Sequence, residues 1–180
     1  MPGSTFLRGD SVALRAIQEV DIQFLDGVFN DPDVWATLGN HTPISDLDDP
    51  GFVEGHVASD DHVSLLVCVG DDGGDSAGFV DLSPATPVDG ETEVVLALAP
   101  DYWGQGFGTE ASRLVTTYAF EERRAHRVTA RALADNTASR RIWEKLGFRE
   151  EGRFREAAFH GGEYRDIVFY GVLDGEWGDD

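Results

Sequence analysis

The stretch from Leu98 to Ala111 (Leu98-Ala99-Pro100-Asp101-Tyr102-Trp103-Gly104-Gln105-Gly106-Phe107-Gly108-Thr109-Glu110-Ala111) constrains the fold more than any other. An apolar run, Glu91–Leu98, reads as a strand that Pro100 ends. Three glycines follow at alternate positions, and a helical pattern begins at Thr109. Glycine lets the backbone turn sharply and approach a ligand closely. Unpaired N–H groups and the dipole at the helix start then favour an anion of pyrophosphate size. A nucleotide P-loop needs Lys-Ser/Thr after its last glycine, where this chain has Thr109-Glu110. A dinucleotide fingerprint needs G-x-G-x-x-G and an acid ending the next strand. Here the third glycine comes one residue early and the next strand ends Ala132-Leu133-Ala134. A glycine-rich turn without a ligand stays open at this point.

Periodicity places the remaining elements. Ser11–Arg15 is a short first strand, and Ile22, Leu25, Val28 and Phe29 give Asp21–Asn30 a helical spacing. Asp31-Pro32 opens a turn. A helical stretch over Pro43–Ala58 is interrupted at Pro50-Gly51. Ser64–Val69 and Gly78–Leu82 read as a hairpin around the acidic loop Asp71–Asp75. Helices are expected over Thr109–Glu122 and Thr137–Leu146, with Asp135 and Asn136 as cap candidates and Gly147 closing the second. Arg127–Leu133, Phe148–Phe154 and Tyr164–Leu173 read as strands, the last two joined at Gly161-Gly162. No repeat and no linker divides the chain, so residues 1–180 form one domain. The order predicts an α+β fold, a mixed, mostly antiparallel sheet flanked by helices on both faces.

Charge narrows the partners. The 180 residues carry a net charge of -20. Residues 1–100 hold two of the 14 Lys and Arg and 19 of the 34 Asp and Glu, so the cations are concentrated in residues 101–180, where an anionic ligand would sit. Such a surface repels phosphate backbones, which argues against nucleic acid. Acidic composition with a single lysine, Lys145, also resembles that of proteins from salt-accumulating halophiles, since high salt screens self-repulsion. The only cysteine, Cys68, excludes an internal disulfide and a cysteine-cluster metal site, and reads as strand packing. No apolar run is long enough to span a bilayer, and Met1–Asp10 lacks the pattern of a signal peptide. The expectation is a cytoplasmic protein without metal or membrane partner, either monomer or homodimer.

Trp103-Gly104-Gln105-Gly106-Phe107-Gly108 resembles the acetyl-CoA loop of the GNAT acetyltransferases, Q/R-x-x-G-x-G/A, with Trp103 in the first place. Asp135-Asn136-Thr137-Ala138-Ser139, then Trp143-Glu144-Lys145-Leu146-Gly147-Phe148, resembles the N-x-x-S…EK-x-GF segment of the RimJ/RimL-type N-terminal acetyltransferase branch. Tyr164-Arg165-Asp166, Gly175-Glu176-Trp177 and the opening Leu14-Arg15…Asp21…Asn30-Asp31-Pro32 are similar to it too. The loop alone is moderately specific; the three motifs in this order are strongly so.

The resemblance implies acetyl-CoA as co-substrate and an amine as acceptor, either a protein N-terminus (ribosomal-protein type) or a small molecule. A silent acyl-CoA-binding module is the alternative from another class. The co-substrate would lie where Glu91–Leu98 splays from Arg127–Leu133, its pantetheine pairing with the backbone of Leu96, Ala97 and Leu98. The N–H groups of Gln105, Gly106, Phe107, Gly108 and Thr109 would hold its pyrophosphate. Asn136 would contact the arm, and Ser139 would donate a hydrogen bond to the leaving sulfur. The bland reading of both is helix capping. Trp143 stands where many GNAT enzymes have a tyrosine acid, a role indole cannot fill. Glu93 is the candidate base, and Glu110 is assigned to the helix dipole. Arg113, Arg140 and Lys145 are candidates for the phosphates, or equally exposed ion-pair members on their helices; His41 and His160 could line an acceptor cleft but read better as ordinary surface histidines.

Overall fold

The computed structural model describes residues 4–38, 62–70, 74–83 and 90–178. The expected helical stretch Pro43–Ala58, His41 and most of the Asp71–Asp75 loop lie outside the described residues. Eight strands form one sheet in the order β1-β2-β3-β4-β5-β6-β8-β7. They are β1 (Thr5–Arg8), β2 (Val12–Ala16), β3 (Val63–Val69), β4 (Asp75–Ser83), β5 (Glu91–Leu98), β6 (Arg127–Leu133), β7 (Arg149–His160) and β8 (Glu163–Leu173). Among the described residues only the β5–β6 pair is parallel; the other pairs are antiparallel. Among the described residues the helices are α1 (Ile22–Phe29), α2 (Pro32–Leu38), α3 (Phe107–Glu121) and α4 (Thr137–Lys145). None of the described helices is long and apolar enough to cross a membrane.

Alternation along the central strands supplies a core on each face. Leu65, Val67, Val80, Val94, Val128 and Val168 point to one face, where Ala111, Val115 and Ala119 of α3 and Trp143 of α4 cover them. Leu66, Cys68, Phe79 and Ala97 point to the other, under Leu25, Val28 and Phe29 of α1 and Val34 of α2. The α+β expectation with helices on both faces therefore holds. Cys68 is fully buried in strand packing, as read, and burial pushes its thiol up.

Four elements differ from the reading above. β1 is an additional edge strand. The turn at Asp31-Pro32 is instead the start of α2: Asp31 Oδ1 accepts the Asp33 N–H at 2.8 Å, and proline fits a first helical turn. α3 begins at Phe107, two residues early. β7 runs to His160 rather than Phe154, past an irregularity where Glu156 has φ 53° and its N–H meets Asp166 Oδ1.

The α1 face contains a buried ion pair. Arg15 donates from Nη1 and Nη2 to the two Asp21 oxygens, each at 2.7 Å, and both side chains are nearly sealed from solvent. Burial alone would push the Asp21 carboxyl up. The Arg15 hydrogen bonds and the Gln18 N–H outweigh it and hold the carboxyl below its ordinary range. A depressed carboxyl contributes stability that is present above about pH 4 and lost as pH falls through the folded value. Asp21→Asn leaves Arg15 buried and uncompensated. Its expected cost is about 3–5 kcal/mol at pH 7 by urea unfolding. The difference from the parent should narrow in acid, where Asp21 protonates.

Candidate functional site

The parallel pair carries the site because it is short. β5 and β6 are matched only at Glu91–Arg127, Thr92–Val128 and Glu93–Thr129. Beyond that, β5 stays bonded to β4 through Leu98, and β6 stays bonded to β8 through Leu133. Val94–Leu98 and Ala130–Leu133 therefore diverge, and their facing peptide groups need partners other than each other. A cavity of about 590 Å³ occupies the fork. That volume falls within the usual range for a small-molecule site.

The glycine turn closes one end. Trp103 Nε1 donates to the Leu98 carbonyl at 2.8 Å and pins the turn to the strand end. Gly106 has φ 90°, a left-handed value, and a Cβ placed there would meet nothing within 4 Å. The first α3 bond runs from Glu110 N–H to the Gly106 carbonyl at 3.1 Å, so the N–H groups of Phe107, Gly108 and Thr109 precede the helical ladder. Gly108 faces inward instead, where a Cβ would lie 3.0 Å from Leu96 Cδ2 and 3.1 Å from Ile142 Cδ1. Glu110, assigned to the dipole, also accepts the Ser11 N–H at 3.0 Å and ties the β1–β2 turn to this end of α3.

α4 forms the facing wall. Asn136 Oδ1 caps it by accepting the Ser139 N–H at 3.1 Å. The cap is thus Asn136, bonded to the Ser139 backbone N–H, and the Ser139 hydroxyl has no partner among the described residues. Trp143 is buried against Phe148, ring centres 5.3 Å apart, and packs the back of this wall. Glu93, at the fork, accepts from Arg131 Nε at 2.5 Å and from Arg131 Nη2 at 3.2 Å.

The fork gathers most of the residues expected from sequence. Glu93, Leu96, Ala97 and Leu98 line the cavity from β5. Gly106, Gly108 and Thr109 line it at the turn, and Asn136 and Ser139 from α4. Gln105 and Phe107 contribute no lining: Gln105 reaches back to the Asp101 carbonyl, and the Phe107 ring packs on Tyr102. Only their backbone N–H groups remain relevant.

The expected cations divide. Arg140 is removed as a phosphate candidate, because it donates to Tyr170 Oη at 2.9 Å and the Ala134 carbonyl at 3.2 Å, and pairs with Glu144 and Glu150. Burial pushes the Tyr170 hydroxyl up, against the opposing pull of this guanidinium. Arg113 is exposed on α3 and does not line the cavity. Lys145 does, together with Arg141, which sequence reading missed. Neither has an ion-pair partner among the described residues. Both stand on α4, so one wall of the cavity carries two cations.

Asp33 and Thr37 of α2, Ala158 of β7, Glu93 and Arg131 also line the cavity. Trp35 and His160, ring centres 6.2 Å apart, join α2 to the β7–β8 hairpin. His160 is not among the cavity-lining residues. Among the described residues no group of His, Cys, Asp and Glu could hold a metal ion.

This arrangement fits coenzyme A: a fork with free peptide groups for an amide-bearing arm, a helix start for a pyrophosphate, and Arg141 and Lys145 for phosphate charge. The chain is 36% identical over 104 residues to "Putative ribosomal N-acetyltransferase YdaF" of Bacillus subtilis, covering 58% of this chain and 57% of that one, so the match spans little more than half the relative's length. It is 23% identical over 158 residues to "Spermidine N(1)-acetyltransferase" of Escherichia coli, covering 88% and 83%. In fold it is similar to the spermidine N-acetyltransferase of Vibrio cholerae, solved with CoA and spermine, at a TM-score of 0.84 and 21% identity over 93% of this chain and 98% of that one. The family profile described as "Acetyltransferase (GNAT) domain" matches residues 11–149, and the chain belongs to the GNAT acetyltransferase family.

Proposed function

We propose that this protein transfers the acetyl group of acetyl-CoA to a protein N-terminal α-amine, of the ribosomal-protein type, by direct attack on the thioester. The observation that carries the reading is the fork itself, with Ser139 on one wall and Glu93 on the other. The backbone of Leu96, Ala97 and Leu98 pairs with the pantetheine amides. The N–H groups from Gln105 to Thr109, with Arg141 and Lys145, take the phosphates. Asn136 holds the α4 start rigid and touches the arm.

In the reaction the amine nitrogen bonds to the thioester carbon, the carbon–sulfur bond breaks, and the nitrogen loses a proton. Glu93 orients the amine and receives that proton directly or through water. The Ser139 hydroxyl donates to the departing sulfur. An α-amine, with a free pKa of about 7.7–8.0, is partly neutral near pH 7, so weak base assistance suffices; a lysine near 10.4 would need more. The likeness to the Bacillus protein named as a ribosomal acetyltransferase supports this acceptor. A small-molecule amine is the second reading, supported by the spermidine-acetylating relative and by two carboxylates, Asp33 and Glu93, in the cavity lining.

The test is acetyl-CoA consumption in high potassium chloride. Its arms are a peptide with a free N-terminus, the same peptide N-terminally blocked but containing lysine, and spermidine. Turnover of the first alone is expected. Turnover of spermidine alone moves the assignment to small amines, and tight acetyl-CoA binding without turnover leaves a silent binding module.

A further inference from the structure

The Arg131–Glu93 pair is asymmetric in a way that bears on the acceptor. Arg131 binds Glu93 side-on, through Nε at 2.5 Å and Nη2 at 3.2 Å. A guanidinium has five N–H donors in a rigid planar fork. The side-on pairing uses two of them. Both Nη1 protons and the second Nη2 proton have no partner among the described residues, and the side chain is 53% exposed. Arg131 lines the cavity together with its partner Glu93, and Asp33 lines the same cavity. The carboxylate on one edge fixes the guanidinium plane, so its other edge is held ready at little further entropic cost. An end-on Nη1–Nη2 edge matches the two oxygens of a carboxylate.

We infer that Arg131 is a specificity-determining residue that selects acceptors carrying a carboxylate a few bonds from the attacking amine. This rests on the amine-acetylating reading of the site proposed above. The ammonium of such an acceptor faces Glu93 and Asp33 while its carboxylate faces the open edge of Arg131, so the zwitterion meets both signs of charge. Two sources supply that chemistry: the acidic side chain of a first-position Asp or Glu in a peptide, and the α-carboxylate of a free amino acid. A neutral first residue leaves the edge to water. A basic one adds a cation beside a cation.

The experiment measures kcat/KM for peptides identical except for Glu, Ala or Lys at position 1, and for free glutamate and alanine against their amides. Within each enzyme the readout is a ratio, so a general loss of activity cancels. Wild type is expected to favour the carboxylate-bearing member of its pair by about tenfold or more, the usual worth of one charge-assisted contact. Arg131→Met should lose that ratio and turn towards Lys. Arg131→Lys, which keeps the charge without the fork, should fall between. Calorimetric acetyl-CoA affinity reports that each variant is folded. Equal rates for Glu and Ala peptides in wild type, or an unchanged ratio in Arg131→Met, overturn the inference. If peptides are inert but free amino acids react in an Arg131-dependent way, the N-terminal reading fails and this one stands.

Discussion

Gly106→Asp is expected to abolish acetyl-CoA binding, by a hundredfold or more in Kd, in a protein that still folds. The position is open, since a Cβ there meets nothing within 4 Å, so the side chain costs no repacking. A side chain at φ 90° is strained, by about 1–2 kcal/mol. The larger effect is electrostatic. A carboxylate at this site lies beside the N–H groups of Phe107, Gly108 and Thr109, accepts from them as a helix cap does, and repels phosphate oxygens. Losing two charge-assisted hydrogen bonds at about 1.5–3 kcal/mol each accounts for the size. Gly106→Ala separates the causes, because it keeps the strain without the charge, and should lose less than tenfold. Gly108→Ala should act differently, through stability, because its Cβ pushes on Leu96 and Ile142. Calorimetric titration beside thermal unfolding reads all three, and unchanged affinity in Gly106→Asp would remove the anion site from this turn.

Ser139→Ala is expected to lower kcat by about a hundredfold, within the 10²–10⁴ range of acid assistance, while KM for acetyl-CoA changes little. The split follows from when the contact matters: a hydroxyl donating to sulfur gains most as charge develops there. Helix stability should survive, because the cap is Asn136 Oδ1 and the Ser139 contribution to it is a backbone N–H that alanine retains. Ser139→Thr, which keeps the hydroxyl, should recover part of the rate. A kcat within twofold of the parent would reduce Ser139 to a wall of the cavity.

The site was legible where local chemistry dictates geometry. Alternate glycines after a strand announce a tight turn, and Asn136 three residues before Ser139 announces a capped helix. The diverging strands followed only through the family resemblance, since periodicity does not encode where a parallel pair stops bonding. Arg131, Arg141 and the loss of Arg140 were not legible at all. Residues 140 and 141 are adjacent arginines on one helix, and only the direction each faces decides that one joins Tyr170 while the other reaches the cavity. β1 was missed because four mostly exposed residues carry no alternation. α2 was missed because Asp-Pro reads equally as a turn or as a cap with its first helical residue.

The three-residue parallel contact has a mechanical consequence. The sheet consists of two leaves, β1 to β5 and β6 to β8, riveted at Glu91–Glu93 and gaping above. A molecule whose amides bridge the gap acts as mortar between the leaves, and whatever binds only the folded form raises its stability by mass action, about 2.7 kcal/mol at a hundredfold excess over Kd. The resistance of this protein to unfolding is thus coupled to the supply of its own acyl donor: a starved pool leaves the seam looser, and a full one seals it.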